Sequence, residues 1–413
     1  MKNPLEVMIQ KNIYKDKKVF DVDWVPENLL FRDRDLKEIL DVLKDVYLGT
    51  RPKNLLITGY SGTGKTAIIK VAEKYFEDYS KKHPKKVAPL FINIDCSKDP
   101  TQFKVLRRIC MTLDPDTKVP LRGIGIDDLY DRLTPLLLES KRFIIVVLDE
   151  IDKYMYNPKN KDKERLLKYL SRRQDLNAPT KTSLIYITTK ARIFESLRDN
   201  DEVTSSMNTV HKILYPYTEE ELIKILQERI KRGIKKEYRH LIPLETIKYI
   251  ANCFKDSHYD VRQAIGLCRA SIDSLNGNER LTPKMVFKAK EKLYNASVKN
   301  TLKSLDIKFI KILYLLRTNG VPTKKKRYET DENYRLLKKF YEKTTHEKIH
   351  TKRQHARYLT ELEDADLVDS VLENRGRAGG IVRTWALIDE DFVLPIIEER
   401  LINYFKQRKI EWK

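Results

Sequence analysis

The sequence predicts an α/β domain with a parallel five-stranded sheet and helices on both faces, then a helical lid domain and a C-terminal winged-helix domain. Three observations predict it. Short apolar runs alternate with helix-length segments between about residues 30 and 215, amphipathic helical patterns alone follow from Thr218, and three further helical patterns end in two short strands around a glycine-rich turn. Strands joined by helix-length connections pair in parallel, because a crossover needs that length to return to the same edge of the sheet.

Taken in order, the expected strands are Asn54 to Thr58, Pro89 to Ile94, Phe143 to Leu148, Ser183 to Thr188 and Val210 to Leu214. Most are rich in Val, Ile and Leu, as strands covered on both faces should be. Four amphipathic segments follow, Glu219 to Ile234, Leu244 to Phe254, Tyr259 to Leu275 and Pro283 to Ala296. Past a polar joint near Ser297 to Leu305 come helical patterns at Ile307 to Thr318, Glu332 to Lys343 and Lys352 to Ala365. The expected domains are therefore 1–217, 218–298 and 299–413.

Composition narrows the class of function. Hydrophobic residues are 41% and charged residues 34% of the chain, an ordinary globular balance. Apolar runs such as Phe143 to Leu148 are far shorter than the roughly 20 residues of a membrane helix, so no membrane partner is expected. The opening Met1-Lys2-Asn3-Pro4 leads into no apolar signal region, and a cytoplasmic, nucleoid-associated protein is expected. Cys96, Cys110, Cys253 and Cys268 are scattered, without the close pairs of a zinc site. A formal charge of +21 favours phosphate polyanions as partners, because each neutralised phosphate releases counterions. Residues 301–360 hold much of the local excess, including Lys324-Lys325-Lys326-Arg327.

The most specific motif is Gly59-Tyr60-Ser61-Gly62-Thr63-Gly64-Lys65-Thr66, a G-x-x-x-x-G-K-T loop between a strand and an apolar-periodic helix. Such a loop turns backbone N–H groups onto phosphates, and the helix N-terminus adds a positive field. ATP or ADP is the expected ligand. Lys65 is expected to reach the β- and γ-phosphates and Thr66 to ligate Mg through its hydroxyl. Downstream, Phe143 to Leu148 leads into Asp149-Glu150. Asp149 is expected to hold the Mg, directly or through water, and Glu150 to orient and deprotonate the attacking water.

This order of phosphate loop, Leu148-Asp149-Glu150-Ile151-Asp152, five-strand core, helical lid and winged helix resembles the archaeal initiators related to the origin recognition complex, within the AAA+ ATPases. The resemblance covers nearly the whole chain. Val25-Pro26-Glu27-Asn28 with Arg32-Asp33 is similar to the family's segment beside the adenine, Ile92-Asn93-Ile94-Asp95-Cys96 to its second strand, and Tyr215 to Leu222, including Tyr217, to the beginning of its lid. Tyr259-Asp260-Val261-Arg262 falls where the family reads Gly-Asp-x-Arg, which implies that Arg262 is the sensor 2 arginine on the γ-phosphate. Two positions depart from the pattern. Thr189 stands where the family commonly has an asparagine that positions the lytic water, and Glu202 stands where it has an arginine finger, with Arg198 nearby as an alternative. Together they imply tight nucleotide binding with slow Mg-dependent hydrolysis, because an arginine finger is worth roughly 10³-fold or more in turnover.

For DNA, the helix beginning at Thr351 presents Lys352, Arg353, Gln354 and Arg357 away from Leu359, Leu362 and Leu367. Arg can bridge guanine O6 and N7, and Gln can pair with adenine. The turn Glu373 to Arg383 holds Arg375, Arg377, Gly379 and Arg383; its Gly376-Arg377-Ala378-Gly379 resembles the family's wing. Within the helical insertion Thr101 to Asp128, the resemblance implies origin contacts by Lys118 and Arg122. Two readings stay open. One is a replication initiator that binds double-stranded origin DNA under ATP control and loads the replicative helicase, alongside initiator paralogues. The other is an ATP-gated DNA-binding regulator or accessory origin factor with little ATPase activity. A clamp-loader subunit or transposition helper would share the ATPase core but gives no reason for a winged helix.

Overall fold

The computed structural model describes residues 13–50, 52–116, 119–120, 123–171, 182–190, 193, 209–275, 279–316, 328–344, 349–365, 367–374, 381–388 and 390–408. The chain forms two compact units that divide between Val286 and Phe287.

In the first unit, α1 (Asp33–Leu43) precedes β1 (Asn54–Thr58) and α2 (Lys65–Lys82); β2 (Leu90–Asp95), α3 (Gln102–Leu113) and α4 (Ile126–Glu139) follow. Next come β3 (Ile144–Asp149), α5 (Ile151–Met155), α6 (Lys163–Ser171), β4 (Thr182–Thr188) and β5 (Thr209–Ile213). The five strands are parallel in the order β2-β3-β4-β1-β5. Side chains on successive strand residues point to opposite faces, and the core divides accordingly. Leu55 and Ile57 pack with Ile145, Val147, Ile185 and Ile187 against α1 and α2. Leu56 packs with Val146, Leu148, Leu184 and Tyr186 against α3 to α6.

The strands at the centre are buried as expected, but β5 is not: Thr209 and Val210 are half-buried and Ile213 is exposed. Among the described residues it lies at the edge of the sheet, with β1 as its one neighbouring strand. β2 and β3 begin and end one residue later than the apolar runs suggested, so both finish on a carboxylate, and Asp95 and Asp149 are register partners.

The lid elements of this unit are α7 (Glu219–Gly233), α8 (Leu244–Asn252) and α9 (Val261–Asp273). α7 starts with a capping box in which Thr218 and Glu221 each satisfy the other's backbone N–H. α10 (Pro283–Ser304) carries the division between units.

The second unit contains α11 (Ile307–Tyr314), β6 (Tyr328–Glu329), α12 (Thr330–Thr344), α13 (Lys352–Asp364), β7 (Val368–Asn374), β8 (Ile381–Leu387) and α14 (Glu390–Gln407). β8 pairs antiparallel with both β6 and β7. Leu313, Leu337, Leu359, Trp385, Ile397 and Phe405 share its core. The indole N–H of Trp385 donates to Thr330 Oγ1 at 3.0 Å, tying β8 to the start of α12. The three helices and the hairpin strands stand near their expected positions; β6 and α14 are additions. The helix from Ile307 ends at Tyr314, four residues before the apolar pattern does.

Candidate functional site

Parallel strands deliver their C-terminal ends to one edge, where ligands of open α/β sheets bind. β1 lies between β4 and β5, with β3 beyond β4. The loop after β1, the Asp149-Glu150 step after β3 and Thr189 after β4 are thereby gathered along that edge.

The loop from Gly59 to Gly64 turns directly into α2, whose N-cap Gly64 has φ 90°. Gly62 has φ 71°, and a β-carbon there would overlap the carboxylate of Asp260. Glycine meets both demands, a left-handed backbone and a close approach. Within the loop the Thr63 hydroxyl donates to Tyr60 O at 2.9 Å. Lys65 Nζ donates to Gly59 O at 2.9 Å and to Tyr60 O at 2.7 Å, holding the ammonium over the loop. Burial and then the nearby Arg262 charge lower the Lys65 pKa to about 8. Arg262 lines the same cavity as Gly62, Gly64 and Thr66 of the phosphate loop.

The Thr66 hydroxyl donates to Asp149 Oδ2 at 2.6 Å, and Glu150 N donates to Asp149 Oδ1 at 2.9 Å. Among the described residues no group of three His, Cys, Asp or Glu side chains could hold a metal ion. One hydroxyl and one carboxylate suit Mg, which keeps waters and takes phosphate oxygens for its remaining positions. Glu150 adopts φ 52°, unusual for a residue with a β-carbon. Burial first, then Asp149 and Asp95, raise its pKa, the direction that improves a carboxylate base near neutral pH. Thr189 is exposed, and its neighbour Thr188 donates to the buried Asp152 at 2.7 Å.

The lid meets the loop through residues 258–262. The Tyr60 and His258 rings lie 4.1 Å apart, and Asp260 caps α9 by accepting from Arg262 N and Gln263 N at 2.9 and 3.1 Å. His258 and Tyr259 both have positive φ, 54° and 55°. The family pattern's glycine at the second of these positions therefore has a physical reason: this turn is left-handed, and Tyr259 bears the cost here.

Arg32 is buried. Its guanidinium donates to Thr63 O at 3.0 Å, Tyr215 O at 2.7 Å and Asp35 at 3.1 Å, and stacks 4.0 Å from the Tyr217 ring centroid. It fastens the phosphate loop to the chain leading into the lid. Between loop, lid and N-terminal segment lies a cavity of about 260 Å³, whose walls include Val25, Gly62, Gly64, Thr66, Tyr217 and Arg262. Trp24, Ile225, Arg229 and Ile265 also line it and escape a motif search, because they come from three separate segments. Tryptophan beside the Val25 segment was the one local signal.

In the second unit, α13 begins with a capping box: Gln354 N donates to Thr351 Oγ1, and Thr351 N to Gln354 Oε1 at 3.0 Å. Lys352, Arg353, Gln354 and Arg357 are exposed, while Leu359, Leu362 and Leu367 are buried. Lys352 pairs with Asp331 at 2.6 Å, Arg357 with Glu361 at 2.9 Å and Arg383 with Glu363 at 3.8 Å. Beneath this surface the fully buried His355 bonds His350 at 3.1 Å and Asn333 at 2.8 Å. Lys118, Arg122, Arg198, Glu202, Arg375, Arg377 and Gly379 lie outside the described residues.

The strand order, phosphate loop, acidic strand end and lid define an AAA+ P-loop protein, and residues 49–197 match the family model described as an AAA domain. The ORC1-type DNA replication protein 1 of Sulfurisphaera tokodaii is 28% identical over 399 residues, covering 96% of each chain. The ORC1-type DNA replication protein of Thermococcus kodakarensis is 27% identical over 377 residues, covering 89% of this chain and 87% of that one. Among solved structures, the Aeropyrum pernix ORC1 protein in complex with DNA superposes with TM-score 0.79 at 24% identity, over 94% of this chain and 97% of that one. The Aeropyrum pernix ORC2 protein in ADPNP-ADP complexes superposes with TM-score 0.60 at 18% identity, over 94% and 98%. Residues 49–197 thus form an AAA domain, and along nearly its whole length the chain is similar to the archaeal ORC1-type DNA replication proteins.

Proposed function

We propose that this protein is an archaeal DNA replication initiator that binds double-stranded origin DNA under the control of ATP and ADP. The observation that carries it is the extent of the likeness: the ORC1-type relative from Sulfurisphaera tokodaii matches along 96% of the chain, far beyond the AAA domain at residues 49–197. The nucleotide sits in the cavity between phosphate loop and lid, its phosphates on residues 59–66 and its γ-phosphate facing Arg262. Thr66 and Asp149 are the residues that would hold Mg, which would neutralise phosphate charge; Glu150 is the base for the proton of the attacking water, and Thr189 stands at the position that would orient that water.

The second unit serves as a winged helix. Arg353 and its exposed neighbours on α13 read the major groove, and the turn containing Arg377 with Arg383 follows the backbone or minor groove. Lys118 and Arg122 add a second grip from the ATPase domain. The domains expected at 1–217, 218–298 and 299–413 serve as motor, lid and reader, in a nucleoid-associated protein that meets initiator paralogues and the replicative helicase.

Glu202, in place of the arginine finger, favours a second reading, an ATP-gated regulator or accessory origin factor with little turnover. Footprinting of the purified protein on its own genome, with and without ATP, joined to a helicase-recruitment assay, decides between them. Protection at an origin with helicase recruitment supports the initiator; protection only at promoters, without helicase contact, defeats it.

A further inference from the structure

The segment ahead of α1 is fastened to the lid. Lys15 N and Asp16 N both donate to Gly233 O, at 2.8 and 3.1 Å, and Lys235 N donates to Ile13 O at 3.0 Å. The Tyr14 hydroxyl donates to Asp273 at 2.8 Å, and Lys17 pairs with the same carboxylate at 2.8 Å. The Phe20 ring occupies the space where a β-carbon on Gly233 would stand. Eleven residues after Asp21, the chain is anchored instead to the core, through Arg32 on Thr63 O. Phe31, just before that anchor, turns the backbone at φ 61°.

Residues between the two anchors line the nucleotide cavity, and a lid side chain determines where they stand. From α7, the Arg229 guanidinium donates to Val19 O at 2.6 Å and to Trp24 O at 3.4 Å, and lies 4.2 Å from the Trp24 ring centroid. A planar guanidinium can stack on an indole and donate in its own plane at once; an ammonium cannot. Burial lowers its pKa to about 10, which leaves the group charged at neutral pH.

We infer that Arg229 is a positioning residue for the nucleotide base: by holding Trp24 it builds the base-side wall of the cavity from a strap that belongs to the lid. Placing the base then places the lid, whereas the phosphates engage the loop whether or not the strap is seated. The inference rests on the nucleotide-binding reading and adds to it a division of labour between the two ends of the ligand.

Competition titrations of the full chain with Mg-ADP and with Mg-tripolyphosphate test it. Arg229→Gln is expected to weaken ADP roughly tenfold, the size of one buried cation–π contact, and to leave tripolyphosphate within about twofold. Arg229→Lys, which keeps the charge but loses the planar stack, should behave as the glutamine variant does. Trp24→Ala, which removes the ring that Arg229 holds, should weaken ADP as Arg229→Gln does and likewise spare tripolyphosphate. Equal losses for both ligands, or none for ADP, overturn the inference. Failure of the unaltered protein to bind ADP overturns the nucleotide reading itself, and the inference with it.

Discussion

Gly62 and Asp260 touch across the boundary between phosphate loop and lid: the carboxylate that caps α9 fills the place where a β-carbon at position 62 would be. Gly62→Ala must therefore strain a backbone at φ 71° and also displace the cap. A left-handed alanine costs about 1–2 kcal/mol and a lost N-cap about 1 kcal/mol. Chemical denaturation should show a loss of about 2–3 kcal/mol, and ADP titration at least a tenfold weaker complex. An alanine variant with unchanged ADP affinity would show that loop and lid do not meet this way in the bound state.

Lys65 supplies a proton signature. Its pKa of about 8 in the free protein means that alkaline solution discharges it, whereas phosphate at the loop holds the charged form. Nucleotide affinity should be highest below pH 8 and fall as pH rises through that value, with proton uptake on binding near pH 8. Calorimetry in buffers of different ionisation enthalpy measures that uptake directly; a binding heat independent of buffer would contradict it.

Glu150 is expected to carry hydrolysis without carrying binding. Glu150→Gln should leave ADP affinity within about threefold and lower single-turnover hydrolysis about 10²-fold or more. Because burial raises the carboxyl's pKa, the acid limb of the wild-type rate should lie higher than for an unperturbed glutamate. Turnover that survives the substitution would remove Glu150 from the chemistry.

His355 makes the second unit sensitive to acid. Burial and then His350 lower its pKa to about 4, so the folded protein holds this imidazole neutral while the unfolded chain takes up a proton near pH 6.5. Its titration costs no stability above pH 6.5; below that the unfolded state binds the proton, and about 3 kcal/mol is lost by pH 4. His355→Phe strands the Asn333 bond and should cost about 1–2 kcal/mol at pH 7.5. Its deficit against the unaltered protein should shrink as the pH falls from 6.5 to 4, measured by denaturation. A deficit constant over that range would mean that His355 does not titrate in this way.

The parts legible in the sequence are those specified by residues close together. Asn54 to Thr66 announce strand, loop and helix in one continuous stretch, and the alternation of Leu55, Leu56 and Ile57 between two faces follows from strand geometry alone. β5 was legible as a strand but not as an edge, because only the order of the folded sheet decides that, among the described residues, β2 and β5 are each left with one neighbour. The contacts that shape the cavity were hidden for a related reason. Gly62 meets Asp260, and Arg229 meets Trp24 from 205 residues away, so neither pair leaves a local pattern. Tyr259 is the exception, since the resemblance marks a glycine there and the positive φ explains why.

The exposed edge of β5 bears on how copies of this chain can meet. An open row of backbone donors and acceptors invites another strand, and proteins commonly guard it with charge. Here Lys212 on that strand is held by Asp35 at 2.7 Å and Glu38 at 2.5 Å, and His211 by Thr58 at 2.7 Å. A second molecule adding a strand at β5 would have to work around this charged cluster.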